Sequence, residues 1–337
     1  MLQTVERPAP AQDALPVFVS SEWGALKECV YGSPHRWVMP KFLGDSKLRA
    51  YGDFYEFWVA NQERDVAEVD PERFREFSNQ IQGAINLLEG LGVRVQIAQE
   101  LAPADLKFPR GENHGIVTAW MRDPFVTIGN NVIELAPRSL FHRRQRFAIR
   151  SILASTMDRG ARYFSQPDGG AEDSRDEPGW GYLEGGDIFV LGTKILVGHS
   201  GGCSNPEGVR WLQHALGREY DVEIVPIDPM YPHLDCVLST PREGVTVVCL
   251  EAFPSGLPEH IRDWDHIVVD KHLAKRHMAC NNLILDDRTV VVPSEEALDG
   301  VAAALKQRRF EVIRIPYARP SEFGGSFRCA HQPLVRI

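Results

Sequence analysis

A thiol, an imidazole and several carboxylates occur along this chain in an order typical of a cysteine-nucleophile site. The thiol is that of Cys329, near the C-terminal end, and upstream of it stand His233 and Asp235, then Glu184 and Asp187. In such sites the thiolate attacks, the imidazole moves protons and a carboxylate orients the imidazole. The chain has more carboxylates than a triad needs, which indicates a substrate held by its positive charge. The combination predicts chemistry on a guanidinium group.

The sequence around Cys329 fits a reactive thiol. Because only the thiolate attacks, a nucleophilic cysteine needs nearby positive charge or backbone N–H groups that lower its pKa. Arg328 and a bound guanidinium would supply positive charge, and Gly324-Gly325 allow a tight turn with close ligand approach. The alternative for Cys329 is a buried structural thiol, as we expect for most of the other cysteines. His331 is a local rival of His233 for the role of base.

His233 and Asp235 stand two residues apart in a segment, 233–240, that is predicted to be a strand. Residues i and i+2 of a strand point to the same face, so the imidazole and the carboxylate would line one surface. Glu184 is predicted to orient His233 as the third member of a triad. The alternative is a core histidine beside an unrelated surface carboxylate.

Two further carboxylates stand where strands are predicted to begin. Asp187 follows Gly185-Gly186, and Asp123 lies between Arg122 and Pro124. A carboxylate at the start of a strand is well placed to reach a central substrate. The alternative for both is ordinary turn chemistry, because Asp is common at glycine turns and before proline.

Composition excludes several function classes. The 337 residues carry a formal net charge of −9, which argues against a nucleic-acid-binding or anionic-membrane surface. No apolar run approaches the ~18–20 residues of a membrane span, and residues 1–16 lack the pattern of a secretory signal. With six scattered cysteines and no export signal, we expect reduced thiols and a cytoplasmic protein. Neither a nucleotide-binding glycine motif nor metal-type Cys/His pairing occurs, so we expect no organic cofactor and no metal.

The elements that must position these residues follow a repeating plan of hairpin, helix and strand. Such units cannot bury their own faces alone and pack against one another, which predicts a ring of short sheets in an α/β protein. A generic α/β sandwich is the alternative. We expect a disordered lead-in over 1–16, one domain over 17–337, a loop insertion at 166–181 and a solvated basic helix face over 138–150. The predicted helices cover 70–91, 139–157, 205–217 and 294–308, and the predicted hairpins cover 125–134, 188–197 and 282–292.

Taken in order, Asp123, Glu184, His233-x-Asp235 and Cys329 resemble the site motifs of the guanidino-group modifying (pentein) superfamily. This superfamily includes glycine and inosamine-phosphate amidinotransferases, arginine deiminase and dimethylarginine hydrolase. The resemblance covers nearly the whole chain. It implies a five-bladed α/β propeller of pseudo-fivefold ββαβ units, with the site at its centre.

Features of two subfamilies are combined in the chain. The segments 20–32, 133–137 and 150–152 are similar to amidinotransferases, whereas the segment 122–125 is similar to arginine deiminase. Glu184 stands where the amidinotransferases carry Asp, and the tail after Cys329 is more like that of the hydrolases. The first interpretation is an amidinotransferase with arginine as donor, and the second is a guanidino hydrolase. A non-catalytic propeller that serves as a binding module is a third.

The resemblance also implies substrate contacts. Asp123, Asp235 and Asp187 would hold the planar guanidinium by charge-assisted hydrogen bonds, with Arg328 beside them. The partners implied are small molecules, arginine or another guanidino compound and an amine acceptor. Homo-oligomers are common among such proteins.

The implied reaction needs neither metal nor organic cofactor. Cys329 would attack the central guanidinium carbon, and His233, oriented by Glu184, would protonate the leaving nitrogen. The amidino group would then pass from Cys329 to an amine, or to water with citrulline as product.

Overall fold

A computed structural model of the protein describes residues 15–40, 53–108, 115–169 and 179–337. Nearly all of the predicted lead-in, residues 1–14, lies outside the described residues, as does the middle of the predicted loop insertion, 170–178.

Five three-stranded sheets with one common plan form the framework of the described residues. In each sheet the middle strand pairs antiparallel with one neighbour and parallel with the other. The strands are β1 (Leu26–Tyr31), β2 (Ser33–Val38), β3 (Arg94–Ile97), β4 (Ile116–Thr118), β5 (Phe125–Ile128), β6 (Asn131–Glu134), β7 (Arg162–Ser165), β8 (Ile188–Leu191), β9 (Lys194–His199), β10 (Asp221–Pro226), β11 (Leu238–Arg242), β12 (Val245–Val248), β13 (Asp265–Val268), β14 (Leu283–Ile284), β15 (Thr289–Pro293), β16 (Glu311–Ile315) and β17 (His331–Arg336).

Four of these sheets are continuous in sequence, and the fifth joins the two ends of the chain. Their strand orders are β5-β6-β7, β8-β9-β10, β11-β12-β13 and β14-β15-β16, and the fifth is β17-β1-β3. The strands β2 and β4 form a separate antiparallel pair. Because β17 takes the hairpin position beside β1, the last strand closes the repeat. One domain over 17–337 stays a prediction.

We call each three-stranded sheet, with the helices that connect its strands, a unit. In every unit, helices lie in sequence between the middle strand and the strand that pairs parallel with it, so the order is β–β–α–β. This is the repeat that the sequence predicted. The helices are α1 (Asp53–Ala60), α2 (Val66–Val69), α3 (Pro71–Gly90), α4 (Leu140–Arg143), α5 (Arg150–Ser155), α6 (Pro206–Leu216), α7 (Glu259–Arg262), α8 (Lys271–Arg276), α9 (Asp299–Gln307), α10 (Ala318–Glu322) and α11 (Phe327–Ala330).

The two best-defined helices begin where their capping residues are. The Arg73 N–H donates to Asp70 Oδ1 at 3.0 Å before α3, and the Gly208 N–H donates to Asn205 Oδ1 at 2.9 Å before α6. A proline follows each cap at the first helical position, where its missing N–H costs nothing. Both predicted helices are therefore confirmed.

The predicted helix over 139–157 is wrong as a continuous element. The structure has two short α-helices there, α4 and α5, joined and followed by 3₁₀ turns. The basic stretch inside it is not a solvated face, because Arg143, Arg144 and Arg146 are buried. Arg143 donates to the Pro137 carbonyl at 2.7 Å, and Arg146 pairs with carboxylates. Tertiary partners hold these arginines inside and interrupt the helix.

The predicted strand over 233–240 is also wrong at its start. Residues Leu234–Cys236 form a 3₁₀ turn, and strand β11 begins only at Leu238. The hairpin of β11 and β12 was not predicted. Pro241 interrupts the alternation of apolar and polar residues in β11, and the pairing of the two strands contains a register shift. In the last predicted hairpin, β14 is only two residues long, and Ile284 pairs with Val290, so the turn is longer than two residues.

Within the described ranges, no helix has both the length and the apolar character that crossing a bilayer requires.

Candidate active site

Cys329 lies in α11, immediately before the closing strand β17, and only 6% of its surface is exposed. Asn281 holds it from two sides: the Cys329 N–H donates to Asn281 Oδ1 at 3.1 Å, and Asn281 Nδ2 donates to Sγ at 3.2 Å. Asp235 Oδ2 is 3.7 Å from Sγ. A Cβ added at Gly325 would lie 2.8 Å from the Trp120 ring, so the glycine allows the close approach that seats this helix.

The thiol of Cys329 stands in a negative environment. Burial raises its pKa well above the ordinary value, and the carboxylates of Asp235 and Asp123 raise it further. Burial and the neighbouring negative charge both favour the protonated thiol over the thiolate.

His233 and Glu184 form a buried ion pair beside this thiol pocket. His233 Nε2 is 2.6 Å from Glu184 Oε2 and 3.7 Å from Asp123 Oδ1. Burial opposes the imidazolium, but Asp123, Cys203 and Glu184 outweigh it and raise the pKa of His233 well above its usual value. Burial also opposes the charge on Glu184, yet its bond with His233 lowers the pKa of Glu184 to about 2. The pair matches the orientation of His233 by Glu184 that the sequence predicted.

Glu184 is held in place by the backbone. Its Oε1 accepts the Arg138 N–H at 3.0 Å and the Ser139 N–H at 3.3 Å. The two glycines that follow are also constrained: a Cβ at Gly185 would meet the Arg122 carbonyl, and a Cβ at Gly186 would lie 2.7 Å from His233 Nδ1. Gly186 of the sequence motif thus makes room for the imidazole.

Asp123 is buried between the Gly-Gly turn and two imidazoles. Its Oδ1 accepts the Gly186 N–H at 3.0 Å, and its Oδ2 is 3.8 Å from His142 Nδ1. Burial raises the pKa of this carboxyl, while the neighbouring His233 and His142 lower it. The negative charge of Asp123 raises the pKa of both Cys329 and His233, so this carboxylate lies close enough to influence both side chains.

Asp235 and Arg328 are paired with each other. Arg328 Nη1 donates to Asp235 Oδ2 at 3.1 Å, while other guanidinium nitrogens donate to Glu22 Oε2 at 3.3 Å and to the Ile188 carbonyl at 2.8 Å. The guanidinium also stacks 3.9 Å from the centre of the Phe189 ring. Arg328 thus uses its donors inside the protein, where it fixes the position of Asp235.

Asp187 differs from the other predicted carboxylates in its partners. Its Oδ1 accepts the Leu234 N–H at 3.0 Å, and its Oδ2 accepts the Ser204 N–H at 3.3 Å. Burial raises the pKa of Asp187 to about 7. The carboxyl joins the turn that carries Glu184 to the turn that carries His233, so its geometry is that of a turn-stabilising group.

His331, the rival base, is buried next to arginines. Its Nδ1 is 2.8 Å from the Phe327 carbonyl, which fixes the proton on that nitrogen. Burial lowers the pKa of His331 well below its usual value, and Arg122, Arg336 and Arg328 lower it further. An imidazole held neutral in this way is a poor carrier of a proton, which favours His233 as the acid–base group.

Sequence reasoning missed Asn281, although the repeat contains a signal for it. Asp123, Asn281 and Cys329 each stand two residues before the first strand of their hairpin, β5, β14 and β17. Glu184 stands four residues before β8, and His233 stands five residues before β11. Each of the five units therefore contributes a candidate site residue shortly before its first strand, and the position that Asp123 and Cys329 share points to Asn281.

Cys203 and His142 were missed as well, and no pattern in the sequence indicates them. Cys203 lies in the loop between β9 and α6, and its thiol is within hydrogen-bonding reach of His233. His142 lies in α4, within the segment 139–157, and its Nδ1 is 3.8 Å from Asp123 Oδ2. Both residues reach the site through conformations that only the tertiary structure fixes.

No protein-family model matches the chain. Among curated proteins, the L-arginine:L-lysine amidinotransferase of Pseudomonas savastanoi pv. phaseolicola is 25% identical, over 95% of this chain and 94% of its own length.

Solved structures show the same fold. SxtG, an amidinotransferase from Microseira wollei, superposes with a TM-score of 0.78 at 23% identity, covering 95% of this chain and 97% of its own. DDAH from Pseudomonas aeruginosa, solved with citrulline, superposes with a TM-score of 0.62 at 16% identity, covering 92% and 99%. These matches confirm the predicted propeller fold and the resemblance to the guanidino-group modifying superfamily.

Proposed function

We propose that this protein transfers the amidino group of L-arginine to an amine acceptor through a covalent intermediate on Cys329. The observation that carries the proposal is a chain of short contacts among buried groups: Asp235 lies 3.7 Å from the Cys329 thiol, and Asp123 lies 3.7 Å from the imidazole of the His233–Glu184 ion pair. The curated relative given above is an amidinotransferase that uses arginine. The site and the relative thus point to the same donor chemistry.

Binding of arginine would supply the positive charge that the pocket lacks. Asp123 and Asp235 would accept charge-assisted hydrogen bonds from the guanidinium. The same cation would offset the carboxylates that keep the Cys329 thiol protonated. With the guanidinium in place to be attacked, the Cys329 thiol would give up its proton to solvent and become the thiolate. Arg328 and Asp187 would act indirectly, because each is bonded to other parts of the protein.

The chemical steps would follow from the charge state of His233. Cys329 Sγ bonds to the guanidinium carbon, and His233, protonated through its pair with Glu184, gives its proton to the leaving nitrogen, so that ornithine departs. The amidino group remains on sulfur as a thioether-linked amidinium. His233, now neutral, takes a proton from the incoming amine as its nitrogen attacks the same carbon. The C–S bond breaks and the new guanidine leaves.

A guanidino hydrolase is the second candidate, in which water takes the place of the amine. The observation that favours it is Glu184 at the position of the triad carboxylate, where the resemblance leads us to expect Asp in amidinotransferases. The longer carboxylate is fully engaged, with one oxygen on His233 and the other on backbone N–H groups. This geometry serves proton transfer to either acceptor.

A product assay with purified protein and L-arginine separates these candidates. We expect ornithine and a new guanidino compound only when an amine such as lysine or glycine is present. Citrulline and ammonia without any amine would instead establish the hydrolase. Cys329→Ala should remove either activity and leave the thermal unfolding midpoint near that of the parent. A Cys329→Ala variant that still turned over arginine would refute the covalent mechanism.

A further inference from the structure

A second thiol stands on the other side of the acid–base pair. Cys203 is partly exposed, and its sulfur, an oxygen of Glu184 and a ring nitrogen of His233 all lie within 4.8 Å of one another. The reaction proposed above gives Cys203 no task, because the attacking thiol is that of Cys329.

The position of Cys203 is fixed by the residue that follows it. The Ser204 N–H donates to Asp187 at 3.3 Å, the Glu184 N–H donates to Ser204 Oγ at 3.0 Å, and the Ser204 carbonyl is 2.9 Å from His199 Nδ1. These bonds attach the loop of Cys203 to the turn of Glu184. The three side chains therefore form a preorganised group on firmly held backbone.

The donor set is one that borderline-soft divalent ions prefer. Thiolate, imidazole and carboxylate are the three ligand types of protein zinc sites, and in a tetrahedral site their donor atoms lie roughly 3.3–3.8 Å apart. The observed spread requires only a small adjustment, mainly separation of the hydrogen-bonded His233 and Glu184. Asp123 Oδ1, 3.7 Å from His233 Nε2, adds negative charge beside the group.

We propose that Glu184, Cys203 and His233 form a binding site for a thiophilic divalent cation of the Zn²⁺ class, which inhibits the enzyme. On binding, the Cys203 thiol and the His233 imidazolium each give up one proton to solvent. The sulfur and the freed ring nitrogen then bond to the metal, and an oxygen of Glu184 completes three ligand positions. A water molecule can fill the fourth, because Cys203 is partly exposed. With a metal bound to its ring nitrogen, His233 can no longer accept and donate the protons that the reaction needs, so turnover stops.

The direct test is cobalt absorption spectroscopy, because a cobalt–thiolate bond gives a charge-transfer band whether or not arginine is turned over. Parent protein, Cys203→Ser, Cys203→Ala and Cys329→Ser are each titrated with Co²⁺. We expect the band in the parent and in Cys329→Ser, and its loss in both Cys203 variants. Cys249→Ser, which removes a buried thiol outside the group, is the matched control and should keep the band.

Zinc inhibition of arginine turnover is the second readout. We expect the Zn²⁺ concentration for half-inhibition to rise at least about tenfold in Cys203→Ser, and to stay unchanged in Cys249→Ser. A band that is lost in Cys329→Ser but kept in both Cys203 variants would place the metal on the nucleophile and overturn the proposal. Absence of any band in the parent at millimolar Co²⁺ would overturn it too. Because the spectrum needs no substrate, failure of the metal site is distinguishable from failure of the proposed transfer activity.

Discussion

Burial and nearby partners together set the charge on the carboxyl groups of the candidate site. Glu184 has its pKa lowered to about 2 by His233, against the effect of burial, so it is ionised throughout the physiological range. Asp187 lies only a few residues away, but burial raises its pKa to about 7, against the effect of its hydrogen bonds with Ser204 and Leu234. The two carboxyl groups of one turn therefore differ in charge, because only Glu184 is hydrogen-bonded to an imidazole.

Replacing Glu184 with Gln should change both rate and pH dependence. The pKa of His233 is raised in the folded protein. Its positive charge, and the stability that this charge contributes, are therefore fully present at pH values below the ordinary histidine pKa. Both are lost as the pH rises through the raised pKa. Without the Glu184 charge that pKa falls, and the alkaline limb of the kcat/KM profile moves to lower pH. We also expect kcat to fall by about 10²–10⁴-fold.

The matched control for this variant is Glu207→Gln. Glu207 lies at the start of α6 and pairs with the surface residue Arg210, so the pH profile of this variant should match that of the parent. An alkaline limb that stays in place in Glu184→Gln would refute the role assigned to the ion pair.

Asp123→Asn tests the contact with the guanidinium. The amide keeps the shape of the side chain and can still accept the Gly186 N–H, but it loses the negative charge. A charge-assisted hydrogen bond contributes about 1.5–3 kcal/mol, so we expect KM for arginine to rise by about 10- to 100-fold. Steady-state kinetics measure this change. Unaltered KM and kcat would remove Asp123 from the site.

At the scale of elements, short turns position the site. The 3₁₀ turns Gly185–Asp187 and Leu234–Cys236 carry four of the seven residues that the sequence indicated, if Glu184 and His233 are counted as their caps. The Asp187 carboxyl joins the two turns at the Leu234 N–H. Strands follow both turns, so a small displacement of either turn moves the side chains of the candidate site directly.

Gly186→Ala should lower the activity of the protein while the protein still folds. The added Cβ would meet His233 Nδ1 at 2.7 Å and Asp123 Oδ1 at 3.0 Å, so the imidazole must shift. A displacement of about 1 Å can cost about 10²-fold in rate, which is the loss of kcat that we expect. Gly300→Ala in α9 is the control, because nothing lies within 4 Å of its new Cβ. It should leave kcat unchanged and stabilise the fold by up to about 1 kcal/mol. Equal activities in the two variants would contradict this account of Gly186.

The ββαβ repeat could be predicted from sequence because strand alternation, capping residues and turn glycines are local signals. The path of 139–157 could not be predicted, because burial of Arg143 and Arg146 depends on partners distant in sequence, such as Asp168. The candidate residues followed from their chemistry and spacing. Which of them are bonded to other parts of the protein did not follow, since Asp187 differs from Asp123 only in what surrounds it, and the partners of Arg328 are distant in sequence.

At the scale of the whole molecule, the sheet that joins the chain ends also carries the nucleophile. Strand β17 pairs with β1 from Leu26 to Tyr31, and Cys329 stands two residues before it. The contacts of β17 with the core therefore fix the position and orientation of the Cys329 side chain. Stability and catalysis should be linked through this strand more closely than through any other sheet described here.

Leu334→Ala tests this link. Leu334 is fully buried in β17, so truncation should leave a cavity and lower the free energy of unfolding by about 2–5 kcal/mol. Chemical denaturation measures the loss. Ile337→Ala is the control, because this side chain is 70% exposed and should change stability by less than about 0.5 kcal/mol. A Leu334→Ala protein as stable as the parent would show that β17 is not needed to hold the ring together.

Closure by the last strand also has a consequence for synthesis on the ribosome. Tyr31 is made long before its partner His331, and at about 5–20 residues per second β1 waits roughly 15–60 s for that neighbour. During this interval one edge of β1 offers unpaired backbone groups, a template for misassociation with other nascent chains. A chain that stops before Cys329 therefore has an open ring and lacks the proposed nucleophile.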